Sequence, residues 1–266
     1  MKRLYIILAC ALLSAAPITA VAQGTKNPLE TDLGGRVGVT LDKKIAKGLH
    51  AFAEAEGRMN GNFSDLSRYE AGAGLSYKVN DFCKFGGGYA YIQNKNSENL
   101  WKTRHRLYID GSLTFRSGDW RFSLKERLQG THSEVNNPYQ TTPNSLAFKS
   151  RVKVAYKGLS SLTPYAYAEL REVLNDPSAD AVWNESANKY SSYSFGGYND
   201  AYINRLRGSI GAEWKLSKKH AIDFFLLSDY CYDKNIDTNA EGTKLKSLTY
   251  DQGLNFSLGI GYTFNL

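Results

Sequence analysis

The chain has 266 residues and a net charge of +7, with 24 Gly against only 6 Pro, a size and composition that fit one large all-β domain. Three cysteines are too few for a small disulfide-stapled scaffold. Beyond the first residues no window reaches the roughly 18 consecutive apolar residues that a membrane helix needs, which leaves a closed barrel as the way to cross a bilayer.

Lys2 and Arg3 precede an apolar run from Leu4 to Leu13, and the small residues Ala20-Val21-Ala22 follow. This is the pattern of a secretory signal peptide covering residues 1–22, with cleavage before Gln23. Ile7-Leu8-Ala9-Cys10 has the shape of a lipoprotein box, but Cys10 stands too near the start. Loss of Lys2 and Arg3 lowers the net charge to +5 and leaves Cys83 and Cys231. An exported, mildly basic chain is not expected to bind nucleic acid.

From there to the end, segments alternate apolar with polar residues, the period of strands with a different environment on each face. Eleven such segments lie near 31–42, 48–58, 67–79, 82–92, 101–116, 119–130, 145–157, 162–173, 201–215, 220–232 and 250–265. Most have the roughly 9 to 11 residues that a tilted strand needs to span a bilayer. Short turns at 42–47, 80–81, 117–118, 158–161 and 216–219 take turns with longer loops at 59–66, 94–100, 130–144, 175–200 and 233–249. That asymmetry belongs to outer-membrane barrels.

One face of successive strands carries Leu107, Ile109, Leu113 and Phe115, then Phe122, Leu124 and Leu128, then Val152 and Val154, then Ile222, Phe224 and Leu226. The opposite face is ionic. Parity assigns Glu54, Glu56, Arg58, Arg68, Glu70, Arg104, Arg106, Asp110, Arg121, Lys125, Arg127, Lys149, Arg151, Lys153, Glu169, Arg171, Arg205, Arg207, Glu213 and Lys215 to the lumen, with bases in excess. Aromatic residues decide which face is outside. On the apolar parity Tyr77, Phe115, Trp120, Tyr156, Trp214, Tyr262 and Phe264 fall near the short turns, and Tyr69, Tyr91, Trp101, Phe148, Tyr202 and Tyr230 near the long loops. Two girdles of rings suit the two interfaces of a membrane.

The final stretch, Leu258 to Leu266, alternates apolar residues to the end, while Ser257, Gly259, Gly261 and Thr263 occupy the inward parity. It reads as the closing strand, with the shape of the signal that outer-membrane assembly machinery recognises. The expected fold is an all-β, transmembrane, antiparallel up-and-down barrel of about 12 strands, with 10 as the lower alternative. An even count places both ends on one side, so the eleven visible segments call for a short extra strand in 24–33 or 175–200, or for another path of the N-terminal segment to the outer rim.

Several hairpins carry a resemblance: Trp101-Lys102-Thr103-Arg104-His105-Arg106-Leu107, Leu124-Lys125-Glu126-Arg127-Leu128, Pro164-Tyr165-Ala166-Tyr167-Ala168-Glu169, and Arg205-Leu206-Arg207-Gly208 with Trp214-Lys215-Leu216-Ser217-Lys218-Lys219-His220. Together and in this order they resemble a family of outer-membrane barrels common in Bacteroidetes, known as a domain of unknown function. The resemblance implies a barrel in the cell outer membrane. It brings no reaction, ligand or catalytic residue.

Function divides into three readings. A surplus of inward Arg and Lys suits a narrow or gated channel for anions, whereas pairing of the same charges across strands suits a plugged, structural surface barrel. The alternative is an outer-membrane lipid-modifying enzyme of phospholipase or deacylase type, for which His105, Glu126 and Ser150 share the outward parity on three consecutive strands as base, orienter and nucleophile. Loop 175–200 holds Trp183, Tyr190, Tyr193 and Tyr198 among Ser, Gly and Asn, a composition that suits recognition of a glycan or surface partner, or a cap over the barrel mouth. His50, His105, His132 and His220 are scattered, so no metal or other cofactor is expected. Cys83 and Cys231 fall near opposite ends of their strands, which predicts no disulfide. The expected partners are outer-membrane lipid and the assembly machinery, with a monomer as the default state.

Overall fold

A computed structural model describes residues 25–96, 98–186 and 189–266; the expected signal peptide lies outside them. Eleven strands follow in chain order among these residues: β1 (Thr25–Ala46), β2 (Leu49–Asn60), β3 (Asp65–Lys78), β4 (Cys83–Lys95), β5 (Trp101–Ser117), β6 (Trp120–Ser133), β7 (Asn144–Tyr156), β8 (Leu162–Asn184), β9 (Lys189–Lys215), β10 (His220–Thr238) and β11 (Leu245–Asn265). Every strand pairs with its chain neighbours, and β1 also pairs with β11, so the sheet closes into a barrel. Closure satisfies the backbone groups that an open edge would leave bare.

The expected closed barrel is present, with eleven strands rather than twelve. An even count follows only if the closing pair is antiparallel. Here β1 and β11 run the same way, from Thr25↔Thr249 to Asp42↔Asn265. Both descend toward the short-turn end, so the described chain enters at the long-loop end and finishes at the other. Residues 25–33 form no separate strand; they lengthen β1 and pair with β11, while strand pairing with β2 starts at Gly35↔Met59 and the β2–β3 turn is held to them by Gly61 N–H on Asp32 and Asn62 N–H on Leu33 O.

Tight turns at the short-turn end have local causes. Gly48 and Gly118 take φ values of 77° and 55°, which a side chain would strain. Asn80 caps its own turn, its Oδ1 accepting from the backbone N–H of Phe82 and Cys83 at 3.0 and 2.8 Å.

At the other end the segment 175–200, read from sequence as a loop, is a continuation of β8 and β9 from Asp176↔Asp200 out to Asn184↔Lys189. Register shifts recur along it, between Arg171 and Glu172, Val173 and Asp176, Asp176 and Pro177, Ser178 and Ala179, and Val182 and Trp183. Each shift breaks the two-residue period, which is why no strand is visible there in the sequence.

The barrel wall is one sheet thick, so burial identifies the faces. Leu107 and Ile109 are 67% and 65% exposed, and Val37, Leu75, Leu206, Ile210, Phe224 and Leu258 are also exposed. The Arg207 and Asp229 side chains retain only 10% and 4%. Apolar side chains face away from the barrel and ionic ones face in.

Inward aromatic rings are seated on glycines of the neighbouring strand. Phe52 lies opposite Gly74, Tyr108 opposite Gly88, Tyr165 opposite Gly211 and Phe225 opposite Gly259. A Cβ on Gly88 or Gly211 would stand 2.7 Å from the facing tyrosine hydroxyl. Large rings therefore lie flat on the inner wall only because the opposing residue has no side chain.

Candidate functional site: the charged lumen

Cross-strand register arranges the inward charges in rows. One row runs Lys125, Arg151, Glu169, Arg207, Asp229 across β6 to β10. Four of its members neutralise one another, while Lys125 turns to Asp110 of β5. Arg151 Nε donates to Glu169 Oε2 at 2.7 Å, Arg207 reaches Glu169 at 3.6 Å, and Arg207 Nε and Nη2 hold the two Asp229 oxygens at 2.6 and 2.9 Å. Arg36 of β1 then donates to Asp229 Oδ2 at 2.9 Å, two strands away. A fork of this kind both pairs the charges and fixes their geometry.

Arg36 and Asp229 are absent from the residues singled out by sequence. Each stands alone among apolar or small neighbours, but inward parity marks both.

Two smaller networks lie nearby. Glu70 pairs with Arg68 and approaches Arg58 and Arg106 at 3.9 and 4.0 Å, while Glu56 pairs with Arg58. Asp110 accepts from Arg127 at 2.7 Å and lies 3.0 Å from Lys125. Inward tyrosines offer their faces to further bases: Arg127 sits 3.8 Å above Tyr108, Arg151 4.4 Å above Tyr167 and Lys153 3.5 Å above Tyr165. Tyr165 also donates to Asp223 of β10 at 2.8 Å.

The adjacent row is different. Arg127, Lys149, Arg171 and Arg205 face one another directly on β6, β7, β8 and β9. Among the described residues only Arg127 of these four has a carboxylate within ion-pair distance. Arg171 donates to the Asn204 amide oxygen at 3.0 Å, and among the described residues Arg205 lies against Cys231 with its Nε unbonded and half-buried Lys149 has no hydrogen-bond or ion-pair partner. Like charges facing across a sheet repel, and Arg127 alone of this row is in direct contact with an acid among the described residues.

The remaining inward residues place as follows. Glu54 and Glu213 belong to the wall, with Glu213 3.8 Å from Lys157. Arg104 is exposed at the long-loop end, and Arg121 and Lys215 line the opposite mouth.

The long-loop mouth is covered by chain. Between β6 and β7 the segment 134–143 reaches over to the β10–β11 hairpin, where Asn137 donates to Thr238 at 3.2 Å and Gln140 to Asp237 at 2.9 Å. Tyr139 packs edge-on against Phe195 at 5.3 Å, and the Tyr198 hydroxyl donates to Pro138 O at 2.9 Å. Beneath them Ile236, Leu245 and Leu248 pack with Ala179, Ala181, Tyr190 and Tyr193 into a small apolar core.

The foot of the β8–β9 hairpin is clamped by Lys234. Its buried ammonium binds Asp200, the Pro177 carbonyl at 2.6 Å and Asp176 at 3.3 Å. Burial raises the Asp176 carboxyl to about 6, a shift that Lys234 opposes and Asp200 adds to.

Tyr202, assigned by sequence to the outward girdle, belongs to this clamp. An extra residue in β9 near Asn204 brings Tyr202 opposite Val173, on the face of the inward, buried Ala147. Its hydroxyl accepts from the Lys234 backbone N–H at 3.2 Å. Tyr69, Tyr77, Tyr91, Trp101, Trp120 and Trp214 are exposed. Phe115, Phe148, Tyr156, Tyr230, Tyr262 and Phe264 are half-buried along the same wall.

The outward residues His105, Glu126 and Ser150 do not converge. Ser150 Oγ donates to Glu126 Oε1 at 2.8 Å. His105 lies opposite His132, six residues along β6 from Glu126 and so on the order of 20 Å away at ~3.4 Å per residue, and its Nδ1 meets the Tyr89 hydroxyl at 2.7 Å. The expected base, His105, is therefore out of reach of the Ser150 hydroxyl, whose partner is Glu126. The other histidines are also held separately: His50 by Asp42, His132 by Asn144 and His220 by Tyr262. Cys83 and Cys231 are both free thiols.

Residues 37–240 match the model of a protein family of unknown function, DUF2490. The chain belongs to this family. No curated protein sequence matches this DUF2490 member. Among solved structures it is similar to the NanC porin, with 14% identity over 88% of this chain and 99% of that one and a TM-score of 0.44. It is also similar to the outer-membrane expressed OmpT of Vibrio cholerae, with 12% identity over 75% of this chain and 59% of that one and a TM-score of 0.34. Its own architecture, a closed barrel with an apolar exterior and an ionic interior, is of the outer-membrane type.

Proposed function

We propose that this barrel sits in the outer membrane of a Gram-negative envelope and passes small anions through a narrow lumen gated at its outer mouth. The observation that carries the reading is the row Arg127, Lys149, Arg171, Arg205, in which three of four bases lack a carboxylate partner among the described residues. A structural filler would be expected to neutralise its buried charges, because an unpaired one is costly. The exposed apolar exterior supports the membrane, since soluble monomers rarely expose apolar patches beyond a few hundred Å². The C-terminal strand, with Leu258 and Ile260 turned outward, supports recognition by the assembly machinery.

A structural surface barrel is the second reading, favoured by the Arg36–Asp229–Arg207–Glu169–Arg151 network and the rings that fill the inner wall. On that reading a glycan or surface partner would meet Val182 and Trp183, exposed at the tip of the β8–β9 hairpin. Reversal potentials of the purified protein in planar bilayers under a KCl gradient separate the two. The conduit reading expects currents that favour chloride, directly or after deletion of residues 135–142, with the preference reduced in Lys149→Gln and Arg205→Gln. It fails if neither protein conducts, or if the preference is for potassium.

A further inference from the structure

The short-turn mouth carries a second basic cluster that none of the lumen networks uses. Inward parity brings Arg116 at the foot of β5 directly opposite Arg121 of β6. Lys157, just past β7, and Lys215, the last residue of β9, stand beside them, and with Asp119 and Trp120 they line a cavity of about 360 Å³. The turn backbones fix this geometry: Lys157 N–H donates to Asp119 O at 2.7 Å and Lys215 N–H to Ser161 O at 2.8 Å.

Charge in this cavity is not balanced. Arg116, Arg121 and Lys215 have no ion pair among the described residues, and Lys157 is 3.8 Å from Glu213 while donating to Thr163 at 3.1 Å. Asp119 is the acid among the lining residues. Burial, and then the neighbouring Arg121 guanidinium, lower the Lys157 pKa from its ordinary value. Two arginines directly opposite each other across strands repel unless an anion lies between them, and their planar forks match the oxygens of a phosphate. Arg116 and Lys215 are exposed, so an incoming group can reach them.

We propose that this cavity is a binding site for a phosphate group, held by the forks of Arg116 and Arg121 and by the ammonium groups of Lys157 and Lys215. The phosphate has two sources with the same chemistry. Trp120 lines the cavity and packs at a tilt against the outward Tyr156, ring centroids 5.1 Å apart, at the level where lipid headgroups would lie. A soluble phosphate would enter from the aqueous side of the mouth.

Calorimetric titration of the full-length protein in detergent, in phosphate-free buffer, tests the site independently of any ion flow. The probes are inorganic phosphate and a short-chain phosphatidylglycerol. Saturable binding of either is expected, weakened about tenfold or more in Arg116→Gln and in Arg121→Gln, and unchanged in Lys246→Gln, which removes one charge from the far hairpin. Binding of phosphate alone assigns a soluble ligand, and tighter binding of the lipid assigns a headgroup. Circular dichroism melting confirms that the variants fold, and Lys215→Gln, at an exposed position, serves if either arginine variant does not. Absence of saturable binding with both probes, or binding that the folded variants leave unchanged, overturns the proposal.

Discussion

Two neighbouring rows of the lumen, one pleat apart, contrast in how they treat charge. In the row Lys125–Arg151–Glu169–Arg207–Asp229 the last four alternate base and acid and are bonded, Arg36 joins from β1, and Lys125 finds its acid in Asp110 of β5. In the row Arg127–Lys149–Arg171–Arg205 four bases stand side by side, and only Arg127 has an acid. Two residues along each strand, ~7 Å, separate a girdle that ties five strands together from a run of facing bases. Similar residue types thus hold the wall in one place and stand without an acid partner in the next, where the conduit reading puts its anion.

The largest test breaks the first row. Asp229→Asn removes the charge that Arg36 and Arg207 share, and the expected cost is about 3–5 kcal/mol, the usual consequence of leaving a buried base unpaired. Denaturant unfolding of the refolded barrel measures it. An unchanged midpoint would show that the network is not structural.

Acidity probes the outer cap next. The Asp176 carboxyl, raised to about 6, binds its proton more tightly in the folded state than in the unfolded one. Its stabilising contribution is therefore full below the unfolded value near ~4 and is lost as pH rises through ~6, at most ~3 kcal/mol in all. Protection factors for amides of the 176–200 hairpin should fall between pH 4 and 7 in the native chain and stay flat in Asp176→Asn.

Packing comes third. Gly211→Val pushes a side chain into Tyr165 and should cost ~1–3 kcal/mol as overpacking, whereas Gly208→Val, at an outward position with open space around it, should cost less. Comparing the two melting curves sharpens the distinction between the faces.

The smallest effect on stability belongs to the second row. Lys149→Gln relieves repulsion in a row that holds no ion pair at that position, so stability should stay within ~1 kcal/mol of the native chain or rise. A loss as large as that of Asp229→Asn would make the two rows alike and remove the basis of the conduit reading.

Much of this was legible in the sequence because a strand's side chains alternate with a period of two. That alternation shows the barrel, the order of its strands with short and long connections taking turns, and the inward side of Arg151, Glu169, Arg171, Arg205 and Arg207. Asp229 and Arg36 were readable by the same parity but lacked charged neighbours to draw notice. Tyr202 was not readable, since one extra residue in β9 turns it to the other face and a bulge leaves no mark in composition.

Sequence by itself determined which side chains share a face, since that depends only on spacing along one strand. Tertiary structure alone decided which residues stand opposite each other, because register between strands and the direction of the closing pair are properties of two chain segments at once. The parallel seam of β1 with β11, the hairpin built from 175–200, and the partnering of Asp229 but not Lys149 all belong to that second class.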